Sequence, residues 1–473
     1  MNPEASRAGL IAIILGTLVI GYFVATHLGY FADLDFLGAI LFLQFVAVAL
    51  SRFDRVFFPI LIVGFVWAGL QIPLQGVWTR GRWALLAVGA VVGFVMWLKR
   101  KHRPFRFFHL VAALCVLAAL VSAMVSAIPQ LAIFKAISLF LLFLYGAAGV
   151  RLAVLGREAK FFSGLVIGCE VVTYLAAISY VGGLRIFGNQ NSLGAAIGVD
   201  VFPILFWGWL STEHGPTRRR RLISLLVAVY LVYFSVSRAA MISVVVISLV
   251  VCFCLREYKI LIRAAISVAC LAALVGVVAP SKFDDSVTRL SNAIIYKGHR
   301  EQGLLGSRQT PWEETIAEIK AHPFFGSGFG TSPTEADAGE HAAIFSSTSE
   351  TNREHGSSYM AIAEWVGLLG LLPFIMLLAL VAINVATVFA WLRRTRNPNH
   401  YAIPLAMLLL AGMVHAAFED WMFAVGSYPS VLFWSLAFVL TDLMPARAPM
   451  PRVAMAVVAP RFEQGFPTPL RSQ

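Results

Sequence analysis

The stretch Gly306-Ser-Arg-Gln-Thr-Pro-Trp312 lies within the one long polar segment of this chain, residues 280–356. The same segment contains the glycine run Gly326-Ser-Gly-Phe-Gly330 and ends beside His355, where apolar sequence resumes. Of the 473 residues, 59% are hydrophobic and only 13% are charged, against about 25% charged in soluble proteins. Because charge at a membrane is costly, it usually serves a function. We therefore expect the chemistry of this protein in or beside the polar segment.

Apolar runs as long as a membrane-spanning helix recur along the whole chain. They predict an all-α polytopic membrane protein with about 14 transmembrane helices (about 12 to 14) and one large periplasmic loop. Residues 1–279 then hold spans 1–11, residues 280–356 form the loop, residues 357–443 hold the last three spans, and residues 444–473 form a disordered cytoplasmic tail. The predicted spans are 8–28, 36–50, 56–75, 83–98, 107–127, 130–150, 161–181, 192–210, 222–235, 239–255, 260–279, 366–392, 402–418 and 429–443.

The basic residues predict the orientation. They cluster after even-numbered spans, most densely at Lys99 to Arg106, Arg218 to Arg221 and Arg393 to Arg396, in a chain of net charge +12. Basic loops stay cytoplasmic, so we expect both termini in the cytoplasm and the polar segment on the opposite face, which in a Gram-negative cell is the periplasm. The same pattern argues against nucleic acid as a partner. Arg80 and Arg82 are expected in a short outward-facing loop, as topology anchors.

The sequence indicates no metal site and no cofactor. All five cysteines fall in predicted spans, so no cysteine-rich site is implied in the polar segment. The run Gly326 to Gly330 allows close backbone approach, but it lacks the Lys-Ser/Thr of a phosphate-binding loop and follows no strand. By itself the run is therefore insufficient to predict a phosphate site.

A helix is predicted within the polar segment. Thr310 fits its N-cap and Pro311 its first position, and Trp312, Ile316 and Ile319 share one face at helical spacing. The helix is expected to lie on the membrane surface or to pack on the bundle. The acidic residues 331–354 that follow are expected to form a mobile lid or a disordered segment.

His355 begins the next helical stretch. A helix N-terminus carries partial positive charge and should lower the pKa of a nearby histidine, which would make His355 a general base. The alternative is a capping or surface histidine. Arg185, Arg238 and Arg308 all map to the outward side, where the charge rule does not require them, and together they predict an anion site. For each arginine, a lipid headgroup contact or an ion pair is the alternative.

Polar residues inside the predicted spans leave a second function open. Glu170, Asp200, His415 and Glu419 are candidates for a proton relay in an ion-coupled transporter, with Lys135 neutralising one of the acids. His415 and Glu419 are four residues apart and are expected on one helix face, where they could also simply pair.

Four segments in order, over about residues 180–375, resemble the O-antigen ligase and polymerase superfamily of bacterial membrane glycosyltransferases. They are Arg185 to Gly194, Ser237-Arg238-Ala239, Arg308 to Gly330, and His355-Gly-Ser-Ser-Tyr359 with Glu364 to Gly370. The chain departs from the family at Gly356, where many relatives have asparagine, which puts the detailed acceptor contact in question.

The resemblance implies a metal-independent glycosyltransferase. Such enzymes take a glycan from an undecaprenyl-diphosphate carrier on the periplasmic face and pass it to an acceptor hydroxyl. The acceptor is another lipid-linked glycan in an O-antigen or exopolysaccharide polymerase, and lipid A–core in a ligase. The number of spans favours the polymerase. The transporter stays as the alternative, and a non-catalytic assembly factor is the third function left open.

The resemblance also implies roles for individual residues. His355 and Arg308 would be catalytic, with His355 as general base, and Arg185, Arg238 and Arg308 would bind the diphosphate. Contacts to the substrate would come from Asn189, Asn191, Trp312, Gly328, Ser357 and Tyr359.

Overall fold

A computed structural model describes residues 34–72, 75–99, 104–278, 306–331 and 354–445, and the single positions 16 and 26. These parts are helical and contain no strand, which confirms the all-α prediction for them. The predicted first span, most of the predicted lid and the predicted tail lie outside the described residues. In order, the helices α1 to α14 are Leu34–Ser51, Phe58–Gly69, Gln75–Lys99, Phe107–Ala123, Pro129–Val154, Glu158–Val181, Gln190–Leu210, Pro216–Phe234, Arg238–Leu255, Tyr258–Val278, Gly306–Ala321, Ser358–Thr395, Ala402–Ala416 and Tyr428–Leu443.

Six of these helices, α3, α5, α6, α7, α9 and α12, are long and apolar enough to cross a membrane. They confirm the membrane character of the chain, while the count of about 14 spans and the side of each loop stay predictions. Two helices, α3 and α12, begin eight residues before their predicted spans. Because α3 begins at Gln75, Arg80 and Arg82 lie in a helix, and the prediction of a loop there was wrong. In addition, α12 begins at Ser358, where the first turns are less apolar than the predicted span.

The helix predicted in the polar segment exists as α11, but its predicted start was wrong. It begins at Gly306, one turn before Thr310, and Pro311 lies inside it. Its packed face runs through Arg308 and Thr315, which are buried, while Ile316 is 43% exposed. Polar residues thus face the protein here, because the partners of α11 are themselves polar.

The helices α13 and α14 lie at the centre of the bundle. Almost every side chain of both is buried, including Trp434 and Phe438, as expected for helices that are apolar all round. Around them, α3 and α5 approach closely through small residues. A Cβ atom on Gly93 would lie 2.7 Å from the Cα atom of Gly149.

The helix α12 is broken near its start, and the loop before it packs into the break. Gly367 has φ +60° and ψ −176°, a conformation suited to glycine, and it interrupts the backbone hydrogen bonds of the helix. The preceding loop, residues 323–328, replaces them. The carbonyls of Glu364 and Trp365 accept from Ser327 and Gly328 N–H at 2.9 and 3.2 Å, and Leu368 N–H and Leu369 N–H donate to the carbonyls of residues 323 and 324.

The glycine run Gly326 to Gly330 is therefore a backbone clasp on α12. A Cβ atom on Gly326 would lie 2.3 Å from the Trp365 carbonyl oxygen, and one on Gly328 would lie 2.3 Å from the Ser126 Cβ atom. Both glycines also have positive φ. The close approach that the sequence allowed is used for packing on the broken helix, and the N–H groups of Ser327 and Gly328 are engaged there.

Candidate active site

A cavity of about 470 Å³ lies where α3, α5, the start of α7, the clasp and the segment 417–427 meet. Its volume is in the range of ligand pockets, roughly 300–1,000 Å³. Aromatic rings form much of its wall, including Trp83, Trp365, Trp421 and Phe423. Its charged and amide-bearing lining residues are Lys135, Asn189, Asn191, Glu354, His355, His415, Glu419 and Asp420.

His355 is held between two carboxylates at this wall. Its backbone N–H donates to Asp420 Oδ2 at 3.0 Å, and its ring Nδ1 lies 3.1 Å from the same oxygen. On the other side of the ring, Nε2 lies 3.5 Å from Glu364 Oε1. The ring packs edge-on against Trp365, with centroids 5.3 Å apart. His355 is only 4% exposed, so three contacts fix its orientation in a mostly dry environment.

The carboxylates determine the charge of His355. Burial lowers the pKa of His355, but the hydrogen bonds and charges of Asp420 and Glu364 outweigh it and raise the pKa to about 9. The prediction that the start of α12 lowers this pKa was therefore wrong, because full carboxylate charges in contact exceed a helix-end partial charge. Burial raises the pKa of Asp420, yet the bonds from His355 hold it below its ordinary value. Asp420 therefore stays ionised.

Ser358 fixes the segment that carries Asp420. Its N–H and its hydroxyl both donate to the Glu419 carbonyl, at 3.0 and 2.6 Å, and its Oγ accepts from Met422 N–H at 3.1 Å. The first turn of α12 and the segment 417–427 are thereby joined directly. His355 and Asp420, which are 65 residues apart in sequence, consequently meet at one place.

Arg308 lies behind the cavity wall and forms two ion pairs. It is buried on α11, donating from Nη1 to Glu354 and from Nη2 to Glu419 Oε1 at 2.5 Å. Glu354 has 57% of its side chain exposed, whereas Glu419 has 17%. Arg238, at the start of α9, is close enough to Arg308 for the two charges to interact. Two of the three predicted arginines thus lie within range of each other's charge.

The segment that leads into α7 carries three predicted site residues, and only two of them line the cavity. Arg185 is exposed and does not line the cavity, whereas Asn189 and Asn191, in the same turn, do. The Asn189 side chain also caps α7 by accepting from Ser192 N–H at 2.7 Å. Through this turn the two asparagines reach the cavity, and Arg185 remains outside its described lining.

The remaining predicted contacts lie around the cavity and outside its described lining. The Tyr359 hydroxyl donates to the Met413 carbonyl at 2.7 Å, Ser357 is buried at the N-cap of α12, and Gly328 belongs to the clasp. Trp312 packs over Gly356, where a Cβ atom would lie 3.0 Å from its Nε1. Gly356 also has φ +70°, so the close packing favours glycine here over a larger residue.

Sequence reasoning did not assign Asp420, Glu364 or Lys135 to the site. A signal existed for the acids: Glu419-Asp420 is an acidic pair between two apolar helices, and Glu364 interrupts an apolar run. The expected pairing of His415 with Glu419 on one helix was wrong, because α13 ends at Ala416. Instead, His415 Nδ1 accepts from Trp421 Nε1 at 2.8 Å, and Glu419 pairs with Arg308.

Comparison of the sequence with known protein families gives a match. The family model described as O-antigen ligase matches residues 223–375, about a third of the chain. No curated protein matches the chain. The matched range contains Arg238, Arg308, the clasp and His355, and it belongs to a family of glycosyltransferase-like enzymes. It gives no support to the transporter alternative. The match at residues 223–375 therefore supports the resemblance of this chain to the O-antigen ligase and polymerase superfamily.

Proposed function

We propose that this protein transfers a glycan from an undecaprenyl-diphosphate carrier to an acceptor hydroxyl, on the periplasmic face of a bacterial inner membrane with both chain termini in the cytoplasm. The observation that carries the proposal is His355 held by Asp420 and Glu364 at the wall of a cavity. His355 and Glu364 lie within the matched range 223–375. A base oriented by a carboxylate is the arrangement that activates a hydroxyl group.

The proposed reaction is a direct displacement. The acceptor oxygen attacks the anomeric carbon of the donor glycan, and the bond from that carbon to the diphosphate oxygen breaks. The electron pair leaves with the diphosphate, and the hydroxyl proton passes to His355. His355 acts in its neutral form, with Nδ1–H donating to Asp420. Nε2, which is buried against Glu364 in this structure, accepts the proton when the acceptor hydroxyl replaces that contact. Because the pKa of His355 is about 9, this base is strong but mostly protonated at neutral pH.

Arg308 and Arg238 supply positive charge beside the site. Glu354, the partner of Arg308 with the more exposed side chain, is the group that a donor diphosphate would displace, while Glu419 keeps the guanidinium in place. A guanidinium fork suits phosphate oxygens and stabilises the charge that develops on the leaving diphosphate. Arg185 is exposed outside the cavity, where its positive charge would attract the anionic carrier towards the site.

The asparagines and aromatic rings of the cavity suit sugar hydroxyls and sugar ring faces. Asn189 and Asn191 offer amide donors and acceptors, and Trp83 offers an apolar plane. We favour a polymerase, in which the acceptor is a second lipid-linked glycan, over a ligase that uses lipid A–core.

Glycan transfer by the purified protein in detergent tests the proposal. Undecaprenyl-diphosphate-linked repeat units are supplied alone or with lipid A–core, to wild type, His355→Ala and the control His322→Ala, a histidine with half its side chain exposed. A ladder of products from repeat units alone, lost only in His355→Ala, is the result expected of a polymerase. Product that appears only with lipid A–core identifies a ligase. Full activity of His355→Ala would refute the site.

A further inference from the structure

We propose that Lys135 binds the diphosphate of the lipid-linked donor, an inference that rests on the proposed function. Lys135 lies in α5, six residues after Pro129, or about 9 Å along the helix. This helix is one of the six that are long and apolar enough to span a membrane. A lysine in such a helix is costly and usually faces a functional cavity, as this one does.

The clasp makes room for Lys135. Its Nζ donates to the carbonyl of Gly330, the last glycine of the run. A Cβ atom on Gly330 would lie 2.8 Å from Lys135 Cδ, and Gly330 has φ +71°. Any side chain at position 330 would push the lysine stem aside. The absence of a side chain there thus lets the ammonium group reach the cavity.

The cavity lining holds more carboxylates than cations, so the positive charge of Lys135 matters for an anionic ligand. Lys135 is the only lysine or arginine among the described residues that line the cavity, whereas Glu354, Glu419 and Asp420 contribute three carboxylates. Arg308 already interacts with two of these acids. A diphosphate entering the cavity would therefore meet Lys135 as its positive contact, with Arg308 available after Glu354 moves.

An ammonium group suits this task chemically. It carries three donors on a flexible stem and can move from the Gly330 carbonyl to phosphate oxygens. In the transfer step the bond between the anomeric carbon and the diphosphate oxygen breaks, and the leaving oxygen gains negative charge. Lys135 would stabilise that charge without gaining or losing a proton. A purely structural Lys135, holding only the Gly330 carbonyl, predicts no preference for diphosphate.

Binding of undecaprenyl diphosphate and of undecaprenol by the purified full chain in detergent separates these roles. The variants are Lys135→Met, Lys135→Arg and the control Lys160→Met, which removes one exposed charge from α6. Losing one charge-assisted hydrogen bond should weaken binding of the diphosphate roughly 10- to 100-fold, with undecaprenol binding unchanged. Lys135→Arg should restore most of the affinity, and Lys160→Met should match wild type.

Wild-type affinity for the diphosphate in Lys135→Met would overturn the inference, and so would an equal loss for both lipids, which would indicate a structural role. Failure of the proposed function looks different. In that case wild type itself would bind undecaprenyl diphosphate no more tightly than undecaprenol, and it would not transfer glycan.

Discussion

Two buried charge clusters in this protein have opposite characters. Arg151 and Asp442, both fully buried, form a bidentate pair at 2.5 and 3.0 Å, and the guanidinium also stacks 4.1 Å from the centre of the Trp97 ring and lies 3.1 Å from His109 Nε2. This closed cluster contacts no described cavity. The cluster of His355, Asp420 and Glu364 instead has members on a cavity wall.

The difference separates structural from functional charge. The pair of Arg151 and Asp442 joins α5 to the central helix α14, and its polar atoms are used within the protein. In the site, 30% of the Asp420 side chain is exposed and the pKa of His355 is raised, a combination typical of catalytic groups. We infer that the closed cluster stabilises the bundle and that the open one performs chemistry.

The largest expected effect is on activity at the open cluster. Asp420→Asn removes the charge that orients and strengthens His355, and loss of an effective general base lowers rates by about 100- to 10,000-fold. Glycan transfer by the purified variant measures it. Thermal unfolding should shift less than in Asp442→Asn, because Glu364 still lies beside His355 and the amide keeps a hydrogen-bonding oxygen. An Asp420→Asn variant that keeps its activity but loses stability would show that the open cluster is structural, contrary to our inference.

The next effect is on stability at the closed cluster. Asp442→Asn leaves the Arg151 guanidinium buried without its carboxylate, which costs about 3–5 kcal/mol. The free energy of unfolding in mixed micelles measures this loss. The matched control is Asp54→Asn, because Asp54 pairs with Arg157 where the side chains are 20% and 31% exposed. About 1 kcal/mol or less is expected there. Equal losses of unfolding free energy in the two variants would show that burial does not increase the cost of breaking the Arg151 pair.

The smallest effect is on the pH dependence: as the pH rises, the transfer rate should increase while the stability of the protein decreases. The pKa of His355 is raised from 6.5 to about 9, so its stabilising contribution is full below about pH 6.5 and is lost as the pH rises through about 9. The transfer rate depends on neutral His355 and should rise about tenfold per pH unit over the same window. Rates and unfolding curves between pH 6 and 10 test this. A rate that falls above pH 9 would assign His355 to holding anionic diphosphate as a cation.

Local sequence patterns predicted much of the fold and part of the site. Helices occur at all the predicted spans that fall in described residues, because an apolar run long enough to cross a bilayer must form its own backbone hydrogen bonds there. His355, Asn189 and Asn191, which the family motifs singled out, line the cavity, and their roles stay predictions. The start of α3 was missed, since Arg80 and Arg82 resemble loop residues until the buried Arg82 is seen donating to the Gly426 carbonyl at 2.8 Å.

The sequence by itself predicted a helical membrane protein that resembles this family, with one long polar segment and a histidine at its end, because hydropathy and short motifs are local properties. Only the tertiary structure decided the charge of His355 and the partners of Arg308. Those depend on Asp420 and Glu419, which lie 65 and 111 residues away in sequence. The break at Gly367 is likewise possible only because a distant loop replaces the lost hydrogen bonds. Electrostatic energies depend on distance and burial in space, and neither is encoded in any single stretch of the chain.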